Sequence, residues 1–362
     1  MKHKRDILIN FAPMEKKKLT NLNEIGEFGL IDRLTKSFEN SNGTTVKGVG
    51  DDAAVLYRDE ATFSLVSTDM LIEGVHFDLI YTPLKHLGYK AVVVNLSDIC
   101  AMNGTPEQIV VSLAISSKYT AEAMDELYEG MYLACKQYSV DLVGGDTTSS
   151  LAGLCISITA IGVVDKEKIT YRSGAKENDL LVVTGDLGGA YVGLQALNRE
   201  KDVFLSNPEM QPELEGLEYL VERQLKPEAR KDVIGFLYEL GVIPTSMIDV
   251  SDGLASEILH LARASKLGCH LYEDKMPIDP VTYQTAVDFN LDPTMCALNG
   301  GEDYELLFTV KQEDYDRIKG SPHFTVIGYM TDYSAGTYLV TKSDTLIPLV
   351  AQGWNHFERG EN

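Results

Sequence analysis

The sequence predicts an α/β protein of two domains. Strand-like and helix-like runs alternate from Thr44 to Val164 and again from Asp179 to Tyr329. Between them, residues 165–176 (DKEKITYRSGAK) are charged and end near a Ser-Gly pair, as an interdomain crossing does. A chain of 362 residues is long enough for two cores.

Residues 24–38 (EIGEFGLIDRLTKSF) read as a short amphipathic helix. Strands are expected at 44–48 and 63–67, a helix at 87–102, a strand at 107–115, a helix at 121–138, and strands at 141–143 and 155–163. In the helix at 121–138, Met124, Leu127, Tyr128, Met131, Ala134, Cys135 and Tyr138 follow the helical period. The second half opens with a strand at 179–184 and a glycine turn, GDLGGAYVGLQAL, that leads into a helix. Residues 200–218 are polar, contain two prolines and are expected to form a surface insertion. Helices at 228–240 and 255–266 follow, the latter stopped by Gly268, then strands at 305–310 and 323–329. The basic leader, 1–23, is expected to be disordered, with Met14 an alternative start.

Net charge is −22, from 54 acidic and 32 basic residues. That balance argues against sequence-independent nucleic-acid binding, which needs clustered cations, and against an anionic membrane surface. No apolar run approaches the ~18 residues of a membrane span. The five cysteines are scattered without a CxxC, as free thiols of a reducing, cytoplasmic compartment would be. Seven histidines without metal spacing argue against zinc. Neither a phosphate loop nor a hydrolase elbow is present.

Six acidic clusters carry the chemistry: Asp51/Asp52 in GVGDD, Asp69 in STD, Asp98 in NLSD, Asp146 in VGGDTT, Asp249/Asp252 in IDVSDG, and Glu302/Asp303 in NGGEDYE. Each stands where an apolar run stops. If they converge, pairs ~4 Å apart repel by roughly 4 kcal/mol at an effective dielectric near 20. All-oxygen ligation by Asp, Ser and Thr suits a hard divalent cation such as Mg²⁺, and that ion points to phosphate chemistry. Ala91, Asn95, Asp98 and Met102 fall on one helix face, so Asp98 reads as a buried metal ligand, or else as a solvent-facing residue that caps a turn. STD and GGD read as ligand loops just past strand ends, or as Asx-turns and helix caps. Ser251 or Asp252 is expected to cap the helix that follows.

Taken together, GVGDDAAVL, STDMLIEGVHF, YKAVVVNLSDICAMNGTP, VGGDTT, TYRSGAKENDLLVVTGDLGGA, IDVSDGLASEI and NGGEDYELLFTV resemble the thiamine-monophosphate kinase family from about Glu24 to Phe357. The resemblance implies an α/β (α+β) fold of the aminoimidazole ribonucleotide synthetase type. Residues 24–165 would bind ATP and Mg²⁺ and dimerise, their sheet joining a second copy's into a barrel. Residues 166–362 would be an α/β domain that completes the active site. Carried over residue by residue, Mg²⁺ ligands fall on Asp52, Ser67, Thr68, Asp69, Asp98, Asp146, Asp249 and Asp252. Nucleotide contacts fall on Gly145, Asp146, Arg172, Ser251 and Tyr128, and substrate contacts on His76, Glu302 and Trp354. Asp98, Asp146, Arg172 and Asp249 are the implied catalytic set, and Asp51 a support beside Asp52. His76 is also open to a structural reading, and Trp354 to a role as packing anchor.

The implied reaction is ATP-dependent phosphorylation of thiamine monophosphate to the diphosphate by direct in-line transfer in a homodimer. Rival readings are another ATP-dependent enzyme of the superfamily and a non-catalytic nucleotide or divalent-ion sensor. A selenophosphate synthetase would carry a reactive cysteine near its start, where the first here is Cys100. An aminoimidazole ribonucleotide synthetase would read GGET in place of Gly144-Gly145-Asp146-Thr147.

Overall fold

The computed structural model describes residues 20–352. Trp354 and most of the leader lie outside these residues. Residues 20–39 form one unit and 40–352 a second. The first holds α1 (Leu22–Thr35), which breaks its helical course at Gly26, φ 64°. Glycine reaches that left-handed conformation without a Cβ clash.

The second unit contains two sheets. The first is built from β1 (Thr45–Lys47), β2 (Ala54–Tyr57), β3 (Thr62–Ile72), β4 (Thr105–Ile115), β5 (Asp141–Ser149) and β6 (Leu154–Asp165), in the order β1-β2-β3-β6-β4-β5. All its pairs are antiparallel except β4 with β5. Those two strands are joined by the crossover helix α3 (Ala121–Tyr138). Two helices, α2 (Leu84–Ala101) and α3, pack together, and α2 lies along β3, β4 and β6. Leu65, Ile109, Val111, Ile156, Ile158 and Ala160 form the core beneath. β6 alternates buried and half-buried residues, the pattern of a sheet covered on one face. On the other face Met70 and Ile72 are 52% and 38% exposed.

The second sheet comprises β7 (Leu180–Thr184), β8 (Ser246–Asp249), β9 (Gly268–Tyr272), β10 (Leu306–Val310), β11 (Phe324–Thr331), β12 (Thr337–Val340) and β13 (Leu346–Pro348). Its order is β13-β12-β9-β11-β7-β10-β8. Four helices lie between β7 and β9: α4 (Gly189–Ser206), α5 (Glu218–Leu225), α6 (Lys231–Leu240) and α7 (Leu254–Ser265). One face of the sheet packs Ile248, Leu271, Leu307 and Ile327 on Ile258 and Leu261 of α7. The other packs Met247, Leu306 and Phe308 on Val233 and Leu237 of α6. Residues 166–179 carry the chain from β6 to β7.

Helix α3 matches its expected span, capped by the Thr120 hydroxyl at its start and by left-handed Ser139 at its end. Several boundaries differ from expectation. β2 was missed because AVLY is short. β3 runs through STD to Ile72, and β5 through GGD to Ser149, so both motifs lie inside strands rather than on loops past them. Thr and Ser sit comfortably on a half-exposed sheet face, so polar residues did not end these strands. The expected insertion is partly helical, since α4 continues to Ser206. Glu200 is buried there and accepts the Glu213 backbone N–H at 2.9 Å.

α2 is buried on all sides from Leu87 to Ser97, so its valine-rich sequence is held helical by packing rather than by propensity. Its backbone touches that of α3. A Cβ on Gly88 would lie 1.9 Å from the Leu127 carbonyl oxygen, and one on Gly130 1.8 Å from that of Lys85. Gly130→Ala is therefore expected to destabilise the protein by about 1–3 kcal/mol, as overpacking does. Urea denaturation followed by circular dichroism checks this.

Candidate active site

Three segments that are remote in sequence meet beside α2. Asp52 precedes β2, Asp98 lies in the last turn of α2, and Asp249 ends β8. Each offers one carboxylate oxygen, and these atoms all lie within 4.8 Å of one another. Neighbouring donors hold the carboxylates in place. The Ser67 hydroxyl, on β3, donates to Asp98 Oδ2. The Ser97 hydroxyl donates to Asp249 Oδ2 at 2.6 Å, which ties α2 to the second sheet. Arg172 places Nη2 and Nε at 2.6 and 3.2 Å from Asp52 Oδ1, and its backbone N–H at 3.0 Å from Asp51 Oδ1. Asp51 also pairs with Lys47, so it supports the site without facing the trio's centre.

Asp69 joins from β3. Its backbone N–H donates to Asn95 Oδ1 at 2.9 Å, while Asn95 Nδ2 donates to the Ala91 carbonyl at 3.0 Å. Burial pushes Asp98 well above the usual carboxylate range, and the charges of Asp69, Asp249 and Asp52 push it further. Burial also raises Asp52 to about 7, against the pull of Arg172. Asp249 rises to about 6 by burial, tempered by the Ser97 hydrogen bond and by Arg172. Asp52 Oδ2 is buried without a hydrogen-bond partner. An orphaned carboxylate oxygen among further carboxylates and a serine hydroxyl fits a hard divalent cation such as Mg²⁺.

Asp252 follows within the turn after β8. Ser251 accepts the Glu302 backbone N–H on its carbonyl at 2.6 Å, and the Asp252 N–H donates to Glu257 Oε1 at 2.9 Å. The residue that caps α7 is Gly253, φ 113°, and no side chain caps the helix. The expectation for Ser251 or Asp252 fails because the turn is organised by its bonds to Glu302 and Glu257. A Cβ at Gly253 would also stand 2.8 Å from the Leu298 carbonyl oxygen.

The NGGEDYE loop takes left-handed backbone at Gly301, Glu302 and Tyr304, with φ of 72°, 60° and 51°. Its three acids meet distinct sets of partners, with Arg223 shared by Asp303 and Glu305. Glu302 Oε2 accepts from Lys90 Nζ at 2.8 Å and from Gln224 Nε2 at 2.7 Å. Asp303 accepts the Gly188 N–H at the start of α4 at 2.8 Å and lies beside Arg223. Glu305 pairs with Arg223 and Arg230 and accepts the Thr184 hydroxyl at 2.5 Å.

Other expected residues lie apart from the trio. Strand alternation turns Thr68 to the open face of the first sheet, where its hydroxyl donates to the Ile158 carbonyl at 3.1 Å. Asp146 is exposed on edge strand β5, and its register through Ser112 and Ser157 to Met70 puts it on that same open face. Gly145, beside it, brings β5 so close to β4 that a Cβ would lie 1.9 Å from the Val111 carbonyl oxygen. Tyr128 sits half-buried on α3, its ring 5.8 Å edge-on from Tyr132. His76 follows β3, and its Nδ1 accepts the Ile72 N–H at 3.0 Å. Lys90, Ser97, Gln224 and Glu257 were not anticipated, because each finds its partner through folding and none bears a local motif.

The chain is similar to AIR synthase related protein, N-terminal domain, over residues 50–164. It is 36% identical over 337 residues to the thiamine-monophosphate kinase of Bacillus subtilis, covering 92% of this chain and 99% of that protein. This chain belongs to the thiamine-monophosphate kinase family. The Escherichia coli (strain K12) member is 32% identical, with 92% and 98% covered. Among solved structures, AaThiL complexed with AMPPCP and TMP superposes with a TM-score of 0.78 at 29% identity, over 94% of this chain and 100% of that one. Hydrogenase maturation protein HypE in complex with ATP gives 0.65 at 18% identity, over 93% and 99%, a likeness of fold alone. The two-sheet α/β fold is that of the family. No helix among the described residues is long and apolar enough to cross a membrane.

Protons compete with a divalent cation for raised carboxylates, so Mg²⁺ affinity is expected to climb as pH rises through about 6 to 7, where Asp249 and Asp52 ionise. Calorimetric titration at pH 5.5 and pH 7.5 checks the sign. Asp52→Asn is expected to weaken binding at the higher pH and to flatten the dependence.

Proposed function

We propose that this chain transfers the γ-phosphoryl group of ATP to thiamine monophosphate, forming thiamine diphosphate and ADP. A terminal phosphate oxygen of the monophosphate attacks the γ-phosphorus, the bond from that phosphorus to the β,γ-bridging oxygen breaks, and ADP leaves with the electron pair. The observation that carries this reading is the meeting of Asp52, Asp98 and Asp249 in a chain that matches the kinase relatives over nearly their whole length. Transfer through a loose transition state requires alignment and charge neutralisation more than covalent catalysis. The attacking phosphate is largely ionised near pH 7, its second pKa being about 6, so no strong general base is required.

Asp52, Ser67, Asp69, Asp98, Asp249 and Asp252 would hold Mg²⁺, with Thr68 and Asp146 contributing from the open sheet face. What bound Mg²⁺ supplies there is neutralisation between two anionic substrates. Arg172 adds a fixed positive charge at the same place and, with Ser251, Gly145, Asp146 and Tyr128, receives the nucleotide. Glu302 meets the cationic ring of the substrate, with His76 and Trp354 at that end.

The division of the chain follows from these roles, residues 24–165 binding metal and nucleotide and 166–362 completing the site. The enzyme would act in the cytoplasm as a homodimer, with the two first sheets closing into a barrel. Exposed Met70 and Ile72 support this, since a second copy would cover them. It would also bring Asp146 and Gly145 to a site that they do not share with the trio within one chain.

Incubation of the purified protein with ATP, Mg²⁺ and thiamine monophosphate is expected to yield thiamine diphosphate. Asp98→Asn and Asp146→Asn are each expected to lower kcat by about 100-fold or more with the fold retained. Full activity in both would defeat the ligand assignment. Met70→Glu is expected to shift the sedimentation coefficient from dimer to monomer and to abolish turnover with it.

A further inference from the structure

We infer that Lys90 is a positioning residue that leaves one oxygen of Glu302 free to receive the cationic ring of the substrate. The inference rests on the placement of Glu302 at that end of the site, proposed above. Among the described lysines Lys90 is unusual in being buried, its side chain 5% exposed. Its Nζ donates to Glu302 Oε2 at 2.8 Å and to the Gln224 carbonyl at 3.0 Å. Gln224 Nε2 donates to the same Oε2 at 2.7 Å. Both bonds therefore end on one oxygen, and no hydrogen bond among the described residues ends on Oε1. The Glu302 side chain is 30% exposed, so its surroundings are not closed to an incoming ligand.

The backbone fixes the same direction. Glu302 is left-handed, and its N–H is tied to the Ser251 carbonyl at 2.6 Å. A carboxylate held at its backbone and at one oxygen loses little further freedom when a cation arrives at the other. The Tyr81 hydroxyl is near enough to feel the Glu302 charge. Burial, with the charges of Asp78 and Glu302 added, holds the Tyr81 hydroxyl up at about 12.

Lys90 also shares a helix with Asp98. Eight residues of α2 separate them, roughly 12 Å of rise. The helix that places a carboxylate at the phosphate end therefore fixes the cation end as well. Lys90 would thus act on substrate choice through Glu302, without touching the reacting atoms.

The test compares thiamine monophosphate with its neutral-ring analogue, carbon replacing the charged ring nitrogen. KM and kcat for both, and KM for ATP, are measured in the wild type, Lys90→Met, Lys90→Arg and Glu302→Gln. Lys90→Met is expected to raise KM for thiamine monophosphate about tenfold, the loss of one well-placed contact. KM for ATP should change by less than about twofold. The preference for the charged ring should fall to the level of Glu302→Gln, and Lys90→Arg should restore much of it. Wild-type preference in Lys90→Met alongside a collapse in Glu302→Gln would overturn the role of Lys90 alone. An equal rise in both KM values would mean a general structural role and overturn it too. Unchanged preference in Glu302→Gln would remove Glu302 from the cation end and this inference with it. Should Lys90→Met fail to fold, Lys90→Gln and Gln224→Leu read the same ratio, and full preference in both would overturn the proposal.

Discussion

The mutual repulsion of Asp52, Asp98 and Asp249 is the constraint around which the second unit is organised. Carboxylates ~4 Å apart repel by roughly 4 kcal/mol per pair at an effective dielectric near 20, and burial adds to that cost. Each of the three is restrained by a donor from a different element: Arg172 after β6, Ser67 on β3 and Ser97 on α2. Arg172 offsets only one of the three charges, and Asp52 Oδ2 stays without a partner. The fold therefore tolerates a charge imbalance that a divalent cation relieves, and binding becomes coupled to stability.

Helix α2 is the element that makes this arrangement rigid. Polar side chains leave it in several directions, although its surroundings are almost wholly apolar. Lys90 reaches the 300–305 loop, Asn95 fixes the backbone of β3, Ser97 holds the second sheet, and Asp98 enters the trio. Each is satisfied by a specific partner, as buried polar groups must be. Backbone contact with α3 through Gly88 and Gly130 leaves the helix little room to shift.

Much of this was legible in the sequence, and the parts that were not have physical reasons. The interruption of AVVVNLSDICAM by Asn95 and Asp98 marked a buried polar face, because apolar runs rarely admit such residues without partners. The 3.6-residue period defined α3 to the residue. STD and GGD were placed on loops because their polarity resembles a turn, whereas strand pairing with β6 and β4 absorbs it. The partners of Lys90 and Ser97 lie 212 and 152 residues away, so neither residue carried a local signal. Asp303 and Glu305 look like further metal ligands in NGGEDYE. The fold instead gives them a helix start and two arginines, which only long-range packing determines.

The tripeptide STD has one further implication. Within β3, Ser67 and Asp69 point toward α2 while Thr68 points away, so a single stretch of backbone serves both surfaces of the sheet. A slip of one position in the pairing with β6 would exchange those surfaces, turning the hydroxyl of Thr68 inward and expelling the carboxylate of Asp69. Insertions or deletions in this strand should therefore be far less tolerated than substitutions, since a single added residue would reassign every side chain beyond it.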